Sequence, residues 1–295
     1  MTSSPAPEPY ARRLLTELTD IHAAFAEILS ASEIINVDPN RPGSGVLFIG
    51  HPTWGWAPSP DVLEADRMSL LRRVRDWEPR FRLLFPHPTP IVRERLDSNF
   101  QLLESWLVRT SGAHDVPPTL NEAVRQLAKT VDGLGGLTNL LPADEYTTRL
   151  TVDTNTLIDN PDLAVHVSTL GAKYMVHLLP VVLREIDDLK RGGRTQDLRE
   201  AAKRAERRLK GLRNNGNVQS GVRVAGEVWA VFEHIEPKND RLPSWLDLSV
   251  PDDRFVASTL LLQSDHPGSA VYVATGDINL QTKLAAVGLP YVELP

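Results

Sequence analysis

RLTVDTN, residues Arg149 to Asn155, is the stretch whose reading decides the fold. It is rich in β-branched residues and closes on an aspartate followed by turn-forming residues, so it reads as a short strand that delivers Asp153 at its end. Onward from it, strands alternate with helices. YMVHLLP, Tyr174 to Pro180, reads as a second strand, with a short helical segment before it. A helix follows from Val181 to Lys190, then a basic helix from Gln196 to Arg213. GVRVAGEVWAVFEHI, Gly221 to Ile235, alternates as a hairpin does. DDRFVASTLLLQS (Asp252 to Ser264) is helical, AVYVAT (Ala270 to Thr275) a strand, DINLQTKLAAV (Asp277 to Val287) a helix and YVEL (Tyr291 to Leu294) a last strand. Strands separated by helices imply a mostly parallel α/β sheet, whose sites lie at the carboxyl ends of its strands.

Backward from Arg149 the period changes. GLGGLTNLLPADEY, Gly133 to Tyr146, has the glycine and proline content of a domain boundary. Before it, Pro9 to Ser30, Asp61 to Phe85, Pro90 to Thr110 and Pro118 to Val131 show apolar residues at helical spacing, and only VLFI, Val46 to Ile49, reads otherwise. The expected organisation is therefore a mainly α-helical N-terminal domain over residues 1–140 and an α/β domain over 147–295. The N-terminal part offers no chemistry to assign. Its TWGW (Thr53 to Trp56), Trp77 and Trp106 could mark a surface for a protein or nucleic-acid partner, but aromatic residues beside helices usually fill cores.

The acidic residues carry the chemistry. Asp153 closes the first strand and Asp277 follows the strand AVYVATG, so both stand at the functional edge of a parallel sheet. Glu185 and the pair Asp252 and Asp253 lie in the first turns of helices. Any one of these alone reads more simply as a helix cap or a solvated charge. Several carboxylates on one edge, however, repel one another unless a cation neutralises them, and an all-oxygen site favours Mg²⁺ or Mn²⁺.

TVDTNTLIDN, LPVVLREIDDLK, PDDRFVAS and VYVATGDINLQTKLAAVGLPYV, in this order and on these elements, resemble the successive motifs of the PIN-domain family. The likeness is to longer PIN domains with a basic helix and a hairpin inserted before the third motif, and it covers about Leu150 to Pro295. It implies a Rossmann-like sheet and a metal-dependent endoribonuclease cutting RNA, single-stranded by expectation. By this resemblance Asp153, Glu185 and Asp277 are metal ligands and catalytic residues. Asp252 is preferred as the third-motif ligand, with Asp253 fitting nearly as well. Thr154 and Asn155 shape the first turn, Thr275 and Asn279 flank Asp277 as support, and Lys283 is the basic residue commonly seen after it. The competing expectation is a PIN fold that binds RNA or scaffolds a partner without cutting. A haloacid-dehalogenase-type phosphatase would need a second aspartate where Asn155 stands, and a bare toxin would lack the large N-terminal domain.

Charge is unevenly distributed. The chain of 295 residues has a formal charge of -6, yet Lys190 to Arg213 holds ten Lys and Arg against three acids. In the basic helix, Leu198, Ala202, Ala205, Leu209 and Leu212 should face the core, leaving Arg199, Lys203, Arg204, Arg207, Arg208 and Lys210 outward as a phosphate-tracking surface for RNA. The hairpin's Arg223 and Trp229 are lesser candidates for the same surface. His177 reads as a packed, hydrogen-bonded core histidine, and His234 has no evident partner. The absence of cysteine excludes disulfides, thiolate zinc sites and cysteine nucleophiles. No apolar run approaches the roughly 20 residues of a membrane span. MTSSPAPEPYARR lacks the apolar core of a secretory signal, so a cytoplasmic protein is expected, with homo-oligomer or protein contacts through the N-terminal domain.

Overall fold

The computed structural model describes residues 8–37, 53–110, 116–238, 242–243 and 245–295. The VLFI segment and the start of the N-terminal lead lie outside these. The chain divides into two compact units, residues 13–141 and a second formed by 142–295 together with the residues up to Arg12.

The first unit is built from helices. α1 (Tyr10–Ser30), whose first residues belong to the other unit, is followed by α2 (Asp61–Leu83), α3 (Pro90–Val108) and α4 (Leu120–Leu137). α4 is capped by the Thr119 side chain, which accepts from the Glu122 N–H, and it runs through Gly133–Leu137, so the first part of the expected linker is helix. Between α1 and α2 a small antiparallel ribbon pairs β1 (Ile34–Val37) with β2 (Thr53–Trp56). Two of this unit's tryptophans fill the interior, while Trp54 and Trp56 on β2 are half-buried. Trp77 and Trp106 are buried, the Trp77 indole N–H donates to the Leu14 carbonyl, and Trp56 meets Trp106 edge-on at 5.6 Å.

The second unit is the α/β body. β3 (Thr148–Val152), α5 (Thr154–Asp159), α6 (Val167–Leu170), β4 (Lys173–Leu178), α7 (Pro180–Gly192), α8 (Gln196–Arg213), β5 (Val222–Ala225), β6 (Glu227–Phe232), α9 (Pro251–Asp265), β7 (Ala270–Ala274), α10 (Ile278–Ala286) and β8 (Tyr291–Val292) follow in order. The sheet order is β5-β6-β4-β3-β7-β8, parallel throughout except for β5, which pairs antiparallel with β6 as the expected hairpin. Gly226 makes the hairpin turn at φ 54°, a left-handed conformation that costs glycine least. α7 and α9 each begin with a proline in the first turn, where its missing N–H is no loss.

The pleat gives the sheet two unlike faces. Leu150, Val152, Val176, Leu178, Val228 and Ala230 share one face and join a continuous apolar core with α5, α7 and α8. The opposite face carries Arg149, Thr151 and His177, all buried polar groups. Among the described residues no helix is long and apolar enough to cross a membrane.

Candidate active site

Asp153 stands one residue beyond β3 and caps α5. One carboxylate oxygen accepts from the Thr156 N–H at 2.6 Å and the other from the Thr275 hydroxyl, while the Asp153 N–H continues the ladder to the Ala274 carbonyl at 3.1 Å. A buried acid thus emerges in one orientation. The Thr275 hydroxyl also accepts from the Asp277 N–H at 3.1 Å, so a single side chain ties together the ends of two adjacent strands. Asp277 caps α10, its carboxylate accepting from the N–H groups of Asn279 at 2.7 Å and Leu280 at 3.2 Å.

Glu185 reaches the same edge from the second turn of α7 and accepts from the Thr154 hydroxyl. Burial, with the charges of Asp252, Asp153 and Asp188, pushes the Glu185 carboxyl above its ordinary range, against the lowering effect of the Thr154 bond. Asp153, Thr154, Asn155, Glu185, Asp252 and Asp277 all line one cleft of about 390 Å³ beyond the carboxyl ends of β3, β4 and β7. Asp188 lines it as well. It was not singled out in the sequence, although it lies one helical turn after Glu185, the spacing that puts two side chains on one face.

The third-motif pair divides. Asp253 is buried away from the cleft, where it accepts from the Asp247 N–H at 2.9 Å and meets the Lys283 ammonium at 2.7 Å. Burial opposes its charge, but the Lys283 bond and the Asp247 N–H together hold its carboxyl below the usual range. Asp252 faces the cleft, with the Asn279 amide at 3.4 Å and Lys283 at 3.5 Å. Lys283 therefore holds the N-terminus of α9 against α10 and steadies both acids.

The set is all oxygen, from separate elements, and its crowding already shows in Glu185. That donor chemistry fits a hard divalent cation, with Asp153, Glu185, Asp252 and Asp277 as the groups that would hold it. Among the described residues no three Asp, Glu or His side chains are arranged to close on one ion.

α8 buries Ala202, Ala205, Leu209 and Leu212 and exposes Lys203, Arg204, Arg207, Arg208 and Lys210, while Leu198 is half-buried. Arg199 departs from the expected outward face: it is half-buried and donates to the Gly193 carbonyl and the Gln196 amide oxygen, closing the loop before the helix. Lys210 pairs with Glu206 at 2.7 Å and Arg208 with Asp162 at 3.8 Å; Lys203 and Arg204 have no acidic partner among the described residues. Arg223 donates to the Gly226 carbonyl within the hairpin turn, and Trp229 is half-buried. His177 is buried between Arg149 and Glu233, and His234 contacts the Gln219 amide at 3.2 Å.

Residues 150–294 match the family model described as PIN domain. No curated protein matches the chain.

Proposed function

Because residues 150–294 belong to the PIN-domain family, generally a metal-dependent nuclease fold, we propose that this protein is a divalent-metal-dependent endoribonuclease acting on single-stranded RNA. The observation that carries the reading is the meeting of Asp153, Glu185, Asp252 and Asp277 in one cleft at the carboxyl edge of the sheet. Mg²⁺ or Mn²⁺ bound there would activate a water and stabilise the charge that builds on a phosphoryl group. Mg²⁺ usually keeps several waters and takes one or two carboxylates directly, so a set spread around a cleft can serve it. The chain's own part is orientation. Thr275 and the Thr156 N–H fix both oxygens of Asp153, the N–H groups of Asn279 and Leu280 fix Asp277, and Thr154 holds Glu185. Asp253 and Lys283 position Asp252 without entering the cleft.

The exposed cations of α8 supply phosphate contacts, which give affinity with little sequence information. The test is cleavage of an end-labelled single-stranded RNA with Mn²⁺ or Mg²⁺, against the same protein in EDTA. Metal-dependent internal cuts are expected. Intact RNA under both conditions, with binding retained, would leave a PIN fold that holds RNA without cutting it.

A further inference from the structure

A second cavity, of about 540 Å³, lies on the other side of α7 from the carboxylate cleft, between α7, the C-terminal half of α8 and the end of β6. Its volume falls within the roughly 300 to 1,000 Å³ of small-ligand sites. Leu183, Ile186, Leu209, Val218 and Phe232 give it apolar walls, and Glu233 stands among them.

The state of Glu233 is fixed from behind. Arg149 can only donate, so its contact of 3.0 Å to His177 Nε2 makes that nitrogen the acceptor and leaves the proton on Nδ1. His177 Nδ1–H then donates to Glu233 Oε1 at 2.7 Å. Burial resists the charge on Glu233, but the His177 bond outweighs it and holds the carboxyl below its ordinary range, so it is ionised at neutral pH. Its second oxygen has no hydrogen-bond partner among the described residues, and the side chain is 19% exposed. The other acids of the cavity are engaged: Asp187 and Glu206 by Lys190, Glu236 by Arg184. At the rim Arg213, exposed at the end of α8, has no acidic partner among the described residues.

A partly buried, ionised acceptor among apolar walls, with the exposed Arg213 guanidinium lining the same cavity, suits a ligand that combines three things: an apolar body, an edge of N–H donors and an anionic tail. An amine or a basic peptide has the donors but would meet Arg213 and Arg184 at the rim. We infer that this cavity is a guanine-nucleotide site, in which Glu233 accepts from the N1–H and N2–H edge of the base and Arg213 meets the phosphate. Guanine is the base whose Watson–Crick edge offers a carboxylate two adjacent donors; adenine and cytosine each offer one amino group beside an acceptor. The inference is independent of cleavage, since no residue of the carboxylate cleft takes part.

Calorimetric titration of the full chain in EDTA with GMP, AMP and guanosine tests it. GMP should bind at least tenfold more tightly than AMP. Glu233→Gln keeps an acceptor for His177 but turns an amide donor toward the base, so GMP affinity should fall at least tenfold and the preference over AMP should vanish. Arg213→Ala, on the exposed rim, should weaken GMP and leave guanosine unchanged, which keeps the test valid if Glu233→Gln is poorly folded. Competition with single-stranded RNA identifies the source: displacement of GMP by alternating GU but not AU oligonucleotides means a base of a strand, and no displacement by either means the free nucleotide. No saturable GMP binding at millimolar concentration, equal binding of GMP and AMP, or unchanged GMP affinity in a folded Glu233→Gln protein would overturn the inference. Asp153→Asn should leave GMP binding intact, so a failure here and a failure of the cleavage reading are separable.

Discussion

At the scale of single residues, Asp153 combines two duties that a substitution can separate. Its carboxylate caps α5 and also faces the cleft. Asparagine retains an oxygen for the Thr156 N–H but lacks the charge, so Asp153→Asn should keep the fold while metal-dependent cleavage falls about a hundredfold or more. Asp153→Ala removes the cap as well and should cost about 1 kcal/mol of stability. Parallel assays of RNA cleavage and urea unfolding check the pair; full activity in the asparagine variant would remove Asp153 from the site. The legible part of this site was the strand-end position of Asp153 and Asp277. Motif register favours Asp252 over Asp253 only narrowly; adjacent helix positions point about 100° apart, and the packing of α9 against α10 is what brings Asp253 to Lys283 in the interior and leaves Asp252 to the cleft.

His177 gives a prediction with a sign. Burial first of all, against the favourable bond to Glu233 and with the nearby charges of Arg149 and His266, brings its imidazole down from 6.5 to about 4. Between these values the unfolded chain binds a proton that the folded chain refuses, so this contribution to stability is present above about pH 6.5 and is lost as the pH falls toward 4. The urea midpoint should drop over this window, and less steeply in His177→Gln. An identical slope in the variant would show that other groups carry the acid sensitivity.

At the scale of elements, α8 shows how far periodicity reaches. Its apolar stripe, start and end were readable because a helix that packs on one side repeats every 3.6 residues, and Thr195 signals the N-cap by accepting from the Leu198 N–H. The engagement of Arg199 with Gly193 was not, since it depends on the path of the loop. Replacing Arg204, Arg207 and Arg208 by Glu should weaken single-stranded RNA binding about tenfold or more and reduce the salt slope by about 0.7 for each phosphate the helix no longer neutralises. Turnover at saturating RNA should change little, because interactions made equally in ground and transition states act on KM. Unchanged affinity and slope in a filter-binding salt series would make this face a solvated surface only. The ribbon β1–β2 was missed for a related reason: four-residue strands carry too few positions to show a period, and TWGW read as aromatic packing rather than as a strand.

At the scale of the molecule, ligand binding and stability are linked. A cation that binds the folded cleft and relieves the repulsion around Glu185 should raise the melting temperature in proportion to the logarithm of its concentration above Kd. We expect a rise of a few degrees with millimolar Mn²⁺ by differential scanning fluorimetry, reversed by EDTA and absent in Asp153→Asn and Asp277→Asn. A shift of equal size in those variants would place the ion elsewhere. The units themselves are not simple halves of the sequence. The Tyr10 and Ala11 N–H groups donate to the carbonyls of Ser269 and Pro267, so the chain's beginning belongs with its end.

The sequence by itself determined what is local and periodic: the order of strands and helices after Arg149, the one-sided burial of α8, the strand-end aspartates and the match of residues 150–294 to the PIN-domain model. These follow from backbone geometry, which repeats along the chain and leaves its trace in residue spacing. Tertiary structure alone decided which acids share a cleft, why Asp253 is a partner of Lys283, and that Arg149, His177 and Glu233 are hydrogen-bonded in a row behind a second cavity. Those groups are separated by tens of residues, and their meeting is set by how elements pack, which no local period records.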